Sequence, residues 1–224
     1  MAHSVFEIIG PPMVGPSSSH TAGACRIGWA ARTLLAEAPR TVKFQLHGSF
    51  AATGEGHGTP EALTAGLLGM SPDDERLKDA PELARQAGVS VHFDEIDLGP
   101  QAHPNSLRLS VEGETQKLTV TASSVGGGSI VLTEIDGLPA EIRGTLETLV
   151  LWHRDTPGFL ARVTAVLACL EINVASIRTG RVDRGQNAIT AVEIDGVLPG
   201  EVSALLGRTP AVARLVVLPL LPGH

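Results

Sequence analysis

The second half of the chain constrains the fold most, because a helix-period segment is set there between strand-period ones. TLVLW (Thr148–Trp152) is a short apolar run that ends in the turn HRDTPG. FLARVTAVLACL (Phe159–Leu170) then repeats apolar residues at helical spacing, at Leu160, Val163, Val166, Leu167 and Leu170. Asp155 or Thr156 is placed to cap this helix, and Pro157 suits its first position. INVASIRTGRV and NAITAVEID alternate like paired strands across the turn DRGQ. PGEVSALLG reads as a second helix and VARLVVLPL as a last strand, so the predicted order is βαββαβ.

That order is a ferredoxin-like plan. With DTPGFLARV at its first turn, Thr148–Leu220 resembles an ACT domain, the small amino-acid-sensing module. Before it, EIDGLPAEIRGT (Glu134–Thr145) mixes turn residues with charge and marks a seam near residue 140. The first half predicts strands at Thr41–Leu46, Val89–Asp94, Ser106–Val111 and Gln116–Ala122. Helices are predicted at Ala22–Glu37, Pro60–Leu68 and around Pro81–Gln86. The whole is read as α+β: a mixed α/β domain over 1–140, then the ACT-like domain over 148–220. The sheet order of the first domain cannot be read from the sequence.

Composition excludes several classes. A net charge of −7 argues against a nucleic-acid or polybasic membrane surface. There is no apolar run of about 18 residues for a membrane span, and no basic segment followed by an apolar one for a signal peptide. Two cysteines, Cys25 and Cys169, cannot form a disulfide framework and read as packing residues at helical positions, so the expected compartment is cytoplasmic. They are also too few for an iron–sulfur cluster, which takes about three or four thiolates. No metal ligands are assigned to this chain.

Four short motifs carry the polar chemistry. GPSSSHTAGA (Gly15–Ala24) puts three serines, His20 and Thr21 just before an alanine-rich helix. The first amides of a helix lack internal partners and lie at its positive end, so this point suits a carboxylate or phosphate. The plain alternative is one capping serine with the others solvated. ATGEGHGTPEA (Ala52–Ala62) holds His57 on a glycine turn, with Thr59 and Pro60 expected as cap and first residue of the next helix. A neutral imidazole there suits a general base. HPNS (His103–Ser106) is an extended entry to a strand, its Asn105 able to donate and accept. SSVGGGSI (Ser123–Ile130) reads as a tight hairpin, and it matches neither a P-loop nor a dinucleotide fingerprint.

In order, VFEIIGPPMVGPSSSHTAGACRIG, GEGHGT, HPN and SVGGGSIVLTEIDG, followed by the ACT-like half, closely resemble the beta chain of the bacterial two-chain, iron–sulfur-dependent L-serine dehydratases. The resemblance spans nearly the whole chain. It implies conversion of L-serine to pyruvate and ammonia together with an alpha chain whose cysteines hold a [4Fe–4S] cluster. It further implies His57 as the base, with His20 also catalytic; Ser17, Ser18 and Ser19, with His20 and Thr21, would hold the substrate carboxylate or line the site against the alpha chain, and His103 and Asn105 are further candidates for substrate binding. An acid expected after GHGT is replaced by Pro60, so Glu61 or Glu55 would have to orient His57, or the role is absent. In the ACT half, Asp155, Pro157, Gly158, Phe159 and Asn173 are expected to hold an amino acid, such as serine, between two copies. A homodimer through the ACT domain and a heterotetramer with the alpha chain are the expected assembly. The alternative is a regulatory serine-sensing module without catalytic residues of its own.

Overall fold

A computed structural model describes residues 11–223. Val5–Gly10, the opening of the first motif, lie outside the described residues. The chain divides into two compact units, one running to Asp136 and recovering the residues from Leu221 onward, the other Gly137–Leu220.

In the first unit a π-helical turn, Ser18–Gly23, leads into α1 (Ala24–Leu35). There follow β1 (Thr41–Gly48), α2 (Ser49–Thr53), a 3-10 turn (Glu55–His57) and α3 (Thr59–Leu67). A second 3-10 turn (Glu75–Asp79) precedes α4 (Ala80–Gln86), β2 (Ser90–Glu95), β3 (Asn105–Glu112), β4 (Lys117–Gly126) and β5 (Ser129–Ile135). The strands of this unit run in the order β2-β1-β3-β4-β5. β2 is parallel to β1, and the other neighbours are antiparallel.

Period-2 alternation explains the sheet's buried face. Phe44 sits opposite Leu109, and Leu109 opposite Val120, with Val42, Leu107, Val111 and Ala122 in step and all buried. α1 covers this face and crosses α3 at very close range. A Cβ at Gly28 would fall on the Leu63 carbonyl, and one at Gly66 on the Cys25 carbonyl, so glycine is required at the crossing.

The structure departs from the sequence expectations in several places. The serines are not a loop ahead of the helix. The chain already winds at Ser18, with Ser17 as N-cap accepting the His20 N–H. α1 ends at Leu35 because Ala36 turns left-handed (φ 59) and its N–H bonds back to the Arg32 and Thr33 carbonyls. Thr59 does not cap α3. Gly58 (φ 70) is the N-cap, and the buried Thr59 Oγ1 has no partner among the described residues. β5 is the return strand of the hairpin expected at Ser123–Ile130, whereas the sequence reading holds neither α2 nor β6 (Leu138–Ile142), the latter within the expected seam. A five-residue helix shows no period to read.

The second unit holds β6, β7 (Glu147–Arg154), α5 (Phe159–Cys169), β8 (Val174–Arg181), β9 (Asn187–Ile194), α6 (Gly200–Gly207) and β10 (Val212–Leu218). From β7 onward this is βαββαβ, with sheet order β10-β7-β9-β8, all antiparallel. Leu149, Leu151, Val192 and Ile194 from the sheet close on Phe159, Val163 and Leu167 of α5 and on Val202 and Leu206 of α6.

Here too the cap differs from expectation. Gly158 (φ 78) is the N-cap of α5, and Pro157 stands outside the helix. Asp155 instead accepts from the Arg181 guanidinium at 2.5 Å and the Gly185 N–H at 3.2 Å, which fastens the end of β7 to the β8–β9 turn. Cys169 is exposed rather than packed, whereas Cys25 is fully buried. No described helix is long and apolar enough to cross a membrane.

Candidate active site

Three segments of the first unit meet around two histidines. The π-helical turn carries His20. The end of β1 runs directly into α2 through Gly48 (φ 57), where a Cβ would run into the Pro104 backbone. The 3-10 turn that follows α2 carries His57. The two rings lie with centroids 4.9 Å apart, tilted by 38°. Thr21 Oγ1 donates to the His57 carbonyl at 3.4 Å, so the turn bearing one histidine is tied to the turn bearing the other.

His20 is buried and packs edge-on against Phe50 at 5.2 Å. Its Nδ1 lies 3.4 Å from Ser17 Oγ, and its Nε2 lies 3.3 Å from both Ser49 Oγ and Thr53 Oγ1. Burial is the main cause that lowers its pKa; the bond to Ser49 opposes this, and the neighbouring His57 adds to it. His20 is therefore neutral at neutral pH. His57 is half-buried, and its Nδ1 lies 2.9 Å from the Thr53 carbonyl oxygen. A carbonyl only accepts, so Nδ1 carries the proton and the neutral ring presents a lone pair at Nε2. That is the form a general base needs.

The expected site residues separate into groups. Ser17, His20, Thr21 and His57 come together. Ser18 and Ser19 are half-buried at the start of the π-helical turn, where backbone amides face outward from the helix. His103 and Asn105 enter through the main chain: Pro104 accepts the Ser49 N–H at 2.8 Å, and Asn105 pairs with Gly48. The His103 ring is exposed, accepts the Asn105 N–H, and lines a separate cleft of about 530 Å³ with Ser106, Arg108 and Ser123. Glu55 is exposed, and Glu61, in the first turn of α3, buries an oxygen that has no partner among the described residues. The His57 ring is oriented by the Thr53 carbonyl, and this answers the question that Pro60 raised.

Ser49 and Thr53 were missed from sequence. Their spacing of four is the only signal, and it carries meaning only once α2 is known to be helical.

In the second unit, Asn173 donates to Asp195 at 2.6 Å, while Asp155 is held by Arg181. The two lie beyond opposite ends of β8, a strand that spans roughly 23 Å at about 3.3 Å per residue. One copy cannot bring them onto one small ligand. Phe159 is buried and stacks on His153 at 3.7 Å, so its ring belongs to the core, with Gly158 and the exposed Pro157 forming the outer turn.

The residues of this chain do not fit an iron–sulfur cluster. Burial pushes the Cys25 thiol up to about 12, and its sulfur donates to the Met70 carbonyl. Cys169 stands by itself on the other unit, and no group of three or more His, Cys, Asp or Glu side chains gathers among the described residues.

Comparison with known proteins bears on the family of the chain. The family model "Serine dehydratase beta chain" matches residues 4–135, and the ACT domain model matches 148–206. The chain is 43% identical to the L-serine dehydratase, beta chain, of Peptoniphilus asaccharolyticus, over 92% of this chain and 93% of that one. It is 39% identical to the probable L-serine dehydratase, beta chain, of Bacillus subtilis, over 95% and 96%. A D-3-phosphoglycerate dehydrogenase of Bacillus subtilis is 25% identical, over 88% of this chain but 37% of its own length.

Proposed function

Because the chain belongs to the serine dehydratase beta chain family, we propose that it is the beta subunit of an L-serine ammonia-lyase and supplies the general base and carboxylate contacts of the active site. The observation that carries this reading is the pairing of His20 with His57, in which the Thr53 carbonyl leaves His57 Nε2 free to take a proton.

Dehydration of L-serine requires loss of the α-proton and departure of the β-hydroxyl as water. The aminoacrylate left behind tautomerises and is hydrolysed to pyruvate and ammonia. Nε2 of His57 takes the α-proton. The amides at Ser17–Ser19 and the hydroxyls of Ser18 and Ser19 bind the substrate carboxylate, where the start of the helix favours negative charge. Neutral His20 adds a polar wall without a second positive charge beside the imidazolium that forms on His57. Thr21 holds the two turns at fixed separation.

The alpha chain completes the site, and the [4Fe–4S] cluster falls to its cysteines rather than to Cys25 or Cys169. The substrate-binding part covers residues 1–140 and the ACT part 148–220. Two ACT parts associate, placing Asp155 of one copy near Asn173 of another around an amino acid, and two alpha chains complete a heterotetramer in the cytoplasm. The separation of Asp155 and Asn173 along β8 supports a site made between copies.

Assembly is the test. The isolated chain should form no pyruvate from L-serine, and anaerobic mixing with its cysteine-bearing partner should produce it. Pyruvate formation by the isolated, metal-free chain would overturn the division of labour.

A further inference from the structure

Thr53 touches both histidines of the site, through two different oxygens. Its carbonyl accepts from His57 Nδ1 at 2.9 Å. Its side-chain Oγ1 lies 2.9 Å from the Ser49 carbonyl, 3.2 Å from Ser49 Oγ and 3.3 Å from His20 Nε2. A hydroxyl has one proton to give. The Ser49 carbonyl can only accept, and it holds the shortest of the three contacts. The Thr53 proton is therefore committed there, and Oγ1 faces His20 Nε2 as an acceptor.

The rest of the network follows by the same accounting. His20 Nε2 then carries the proton, because a lone pair there would face the Thr53 Oγ1 lone pair; the proton is shared between Thr53 Oγ1 and Ser49 Oγ, both at 3.3 Å, while the Ser49 hydroxyl donates its own to Thr53 Oγ1 at 3.2 Å. His20 Nδ1 then holds the lone pair. Ser17 Oγ, 3.4 Å away and already accepting the His20 N–H, has its own proton free to donate to Nδ1. His57 is fixed the other way round, with its proton on Nδ1. Two imidazoles 4.9 Å apart thus hold opposite tautomers.

We infer that Thr53 is a positioning residue that sets both tautomers, His57 through its main chain and His20 through its hydroxyl. This rests on the reading of the two histidines as site residues, but it makes a statement about protons that can be read without turnover. The consequence for the reaction is specific. A His20 with its proton on Nδ1 would turn a second lone pair toward the hydroxyls of α2 and leave Ser17 without an acceptor, so the wall beside the base would change from donor to acceptor.

The test is long-range nitrogen NMR of the imidazoles in the full-length chain, recorded well above the ordinary histidine value of about 6.5. His20 should show a protonated Nε2 and a bare Nδ1, and His57 the reverse. Thr53→Val keeps the backbone carbonyl and the branched shape but removes Oγ1; it should mix the His20 tautomers and leave His57 unchanged. Thr53→Ser should restore the original pattern. In the assembled enzyme, Thr53→Val should lower kcat/KM by about fivefold, the size expected for one ordinary hydrogen bond, with rescue by serine. A wild-type His20 protonated on Nδ1, or a valine variant with an unaltered His20 spectrum, overturns the inference. A normal His57→Ala turnover alongside the expected spectra would instead overturn the assignment of the base and leave the role of Thr53 standing.

Discussion

His20 and His57 face each other at 4.9 Å, yet each ring is held by a different segment and by different hydrogen-bond partners. Burial keeps His20 neutral, whereas His57 is half-buried with Nε2 unspent. The first expectation follows from this asymmetry. In the assembled enzyme, His57→Ala should lower kcat by about 10²–10⁴-fold, the usual contribution of a general base. KM should change little, because the residue acts on the α-proton rather than on the carboxylate. Ser18→Ala should do the opposite and raise KM, since a bond to a charged group is worth roughly 1.5–3 kcal/mol. Steady-state kinetics separate the two, and equal effects on both parameters for both variants would refute the division.

A second expectation concerns acid stability. His20 and His153 both have lowered pKa values, and in each case burial is the main cause. His153 also places Nδ1 3.0 Å from the Arg154 carbonyl and Nε2 2.8 Å from Thr190 Oγ1. A histidine whose folded pKa lies below its unfolded value, about 6.5, binds more protons when unfolded. Its stabilising contribution is complete above that pH and is lost as the pH falls toward the lowered value. Thermal midpoints of the full chain should therefore drop as the pH is taken from about 7 to about 5. His153→Gln should flatten part of that slope. A midpoint independent of pH over this range would contradict the burial of both rings.

How much of this was legible in sequence depends on the length over which each signal extends. The βαββαβ half was readable because its helix and strands are long enough to show their periods, as Leu160 to Leu170 do. The glycine turn that carries His57 was readable because glycines punctuate the chain there, whereas the winding of Ser18 and Ser19 into a π-helical turn was not. The cap of α5 was not. Asp155 has the right side chain for it, but the Arg181 guanidinium, 26 residues later, outcompetes a local amide. Ser49 and Thr53 were silent for a related reason: what gives them meaning is contact with His20, and a spacing of 29 or 33 residues leaves no local pattern.

The two cysteines should differ sharply in reactivity. The thiolate is the reactive form, and Cys25 holds its proton up to a pH of about 12 in the interior of α1. Cys169 is exposed at the end of α5. A thiol reagent at about pH 8, near the ordinary thiol range, should modify one cysteine in the native chain and both in denaturant. Peptide mapping should place the native label on Cys169. Native labelling of Cys25 would mean that the α1–α3 crossing opens readily.

The last expectation comes from Arg26, a fully buried guanidinium in α1, the helix that follows His20. Its Nε donates to the Pro222 carbonyl at 2.9 Å, and its two terminal nitrogens donate to Gly128 and Gly223 at 2.7 Å each. Leu221 beside them is buried. Leu221–Gly223 thus serve as a strap on the first unit, satisfying a charge that the interior would otherwise penalise. Deleting Leu221–His224 would leave two of the three donor positions facing no carbonyl. A hydrogen bond to a charged group is worth roughly 1.5–3 kcal/mol, so losing two of them should lower the denaturant midpoint of the first unit substantially. The loss of Leu221 burial contributes as well, and a double-mutant cycle separates the two effects. In an Arg26→Met background there is no guanidinium to satisfy, and the same deletion should cost much less. If it costs equally in both backgrounds, the strap is held by Leu221 alone and Arg26 is satisfied in some other way. A smaller cost in the Arg26→Met background ties the last residues of the chain to the helix that follows His20.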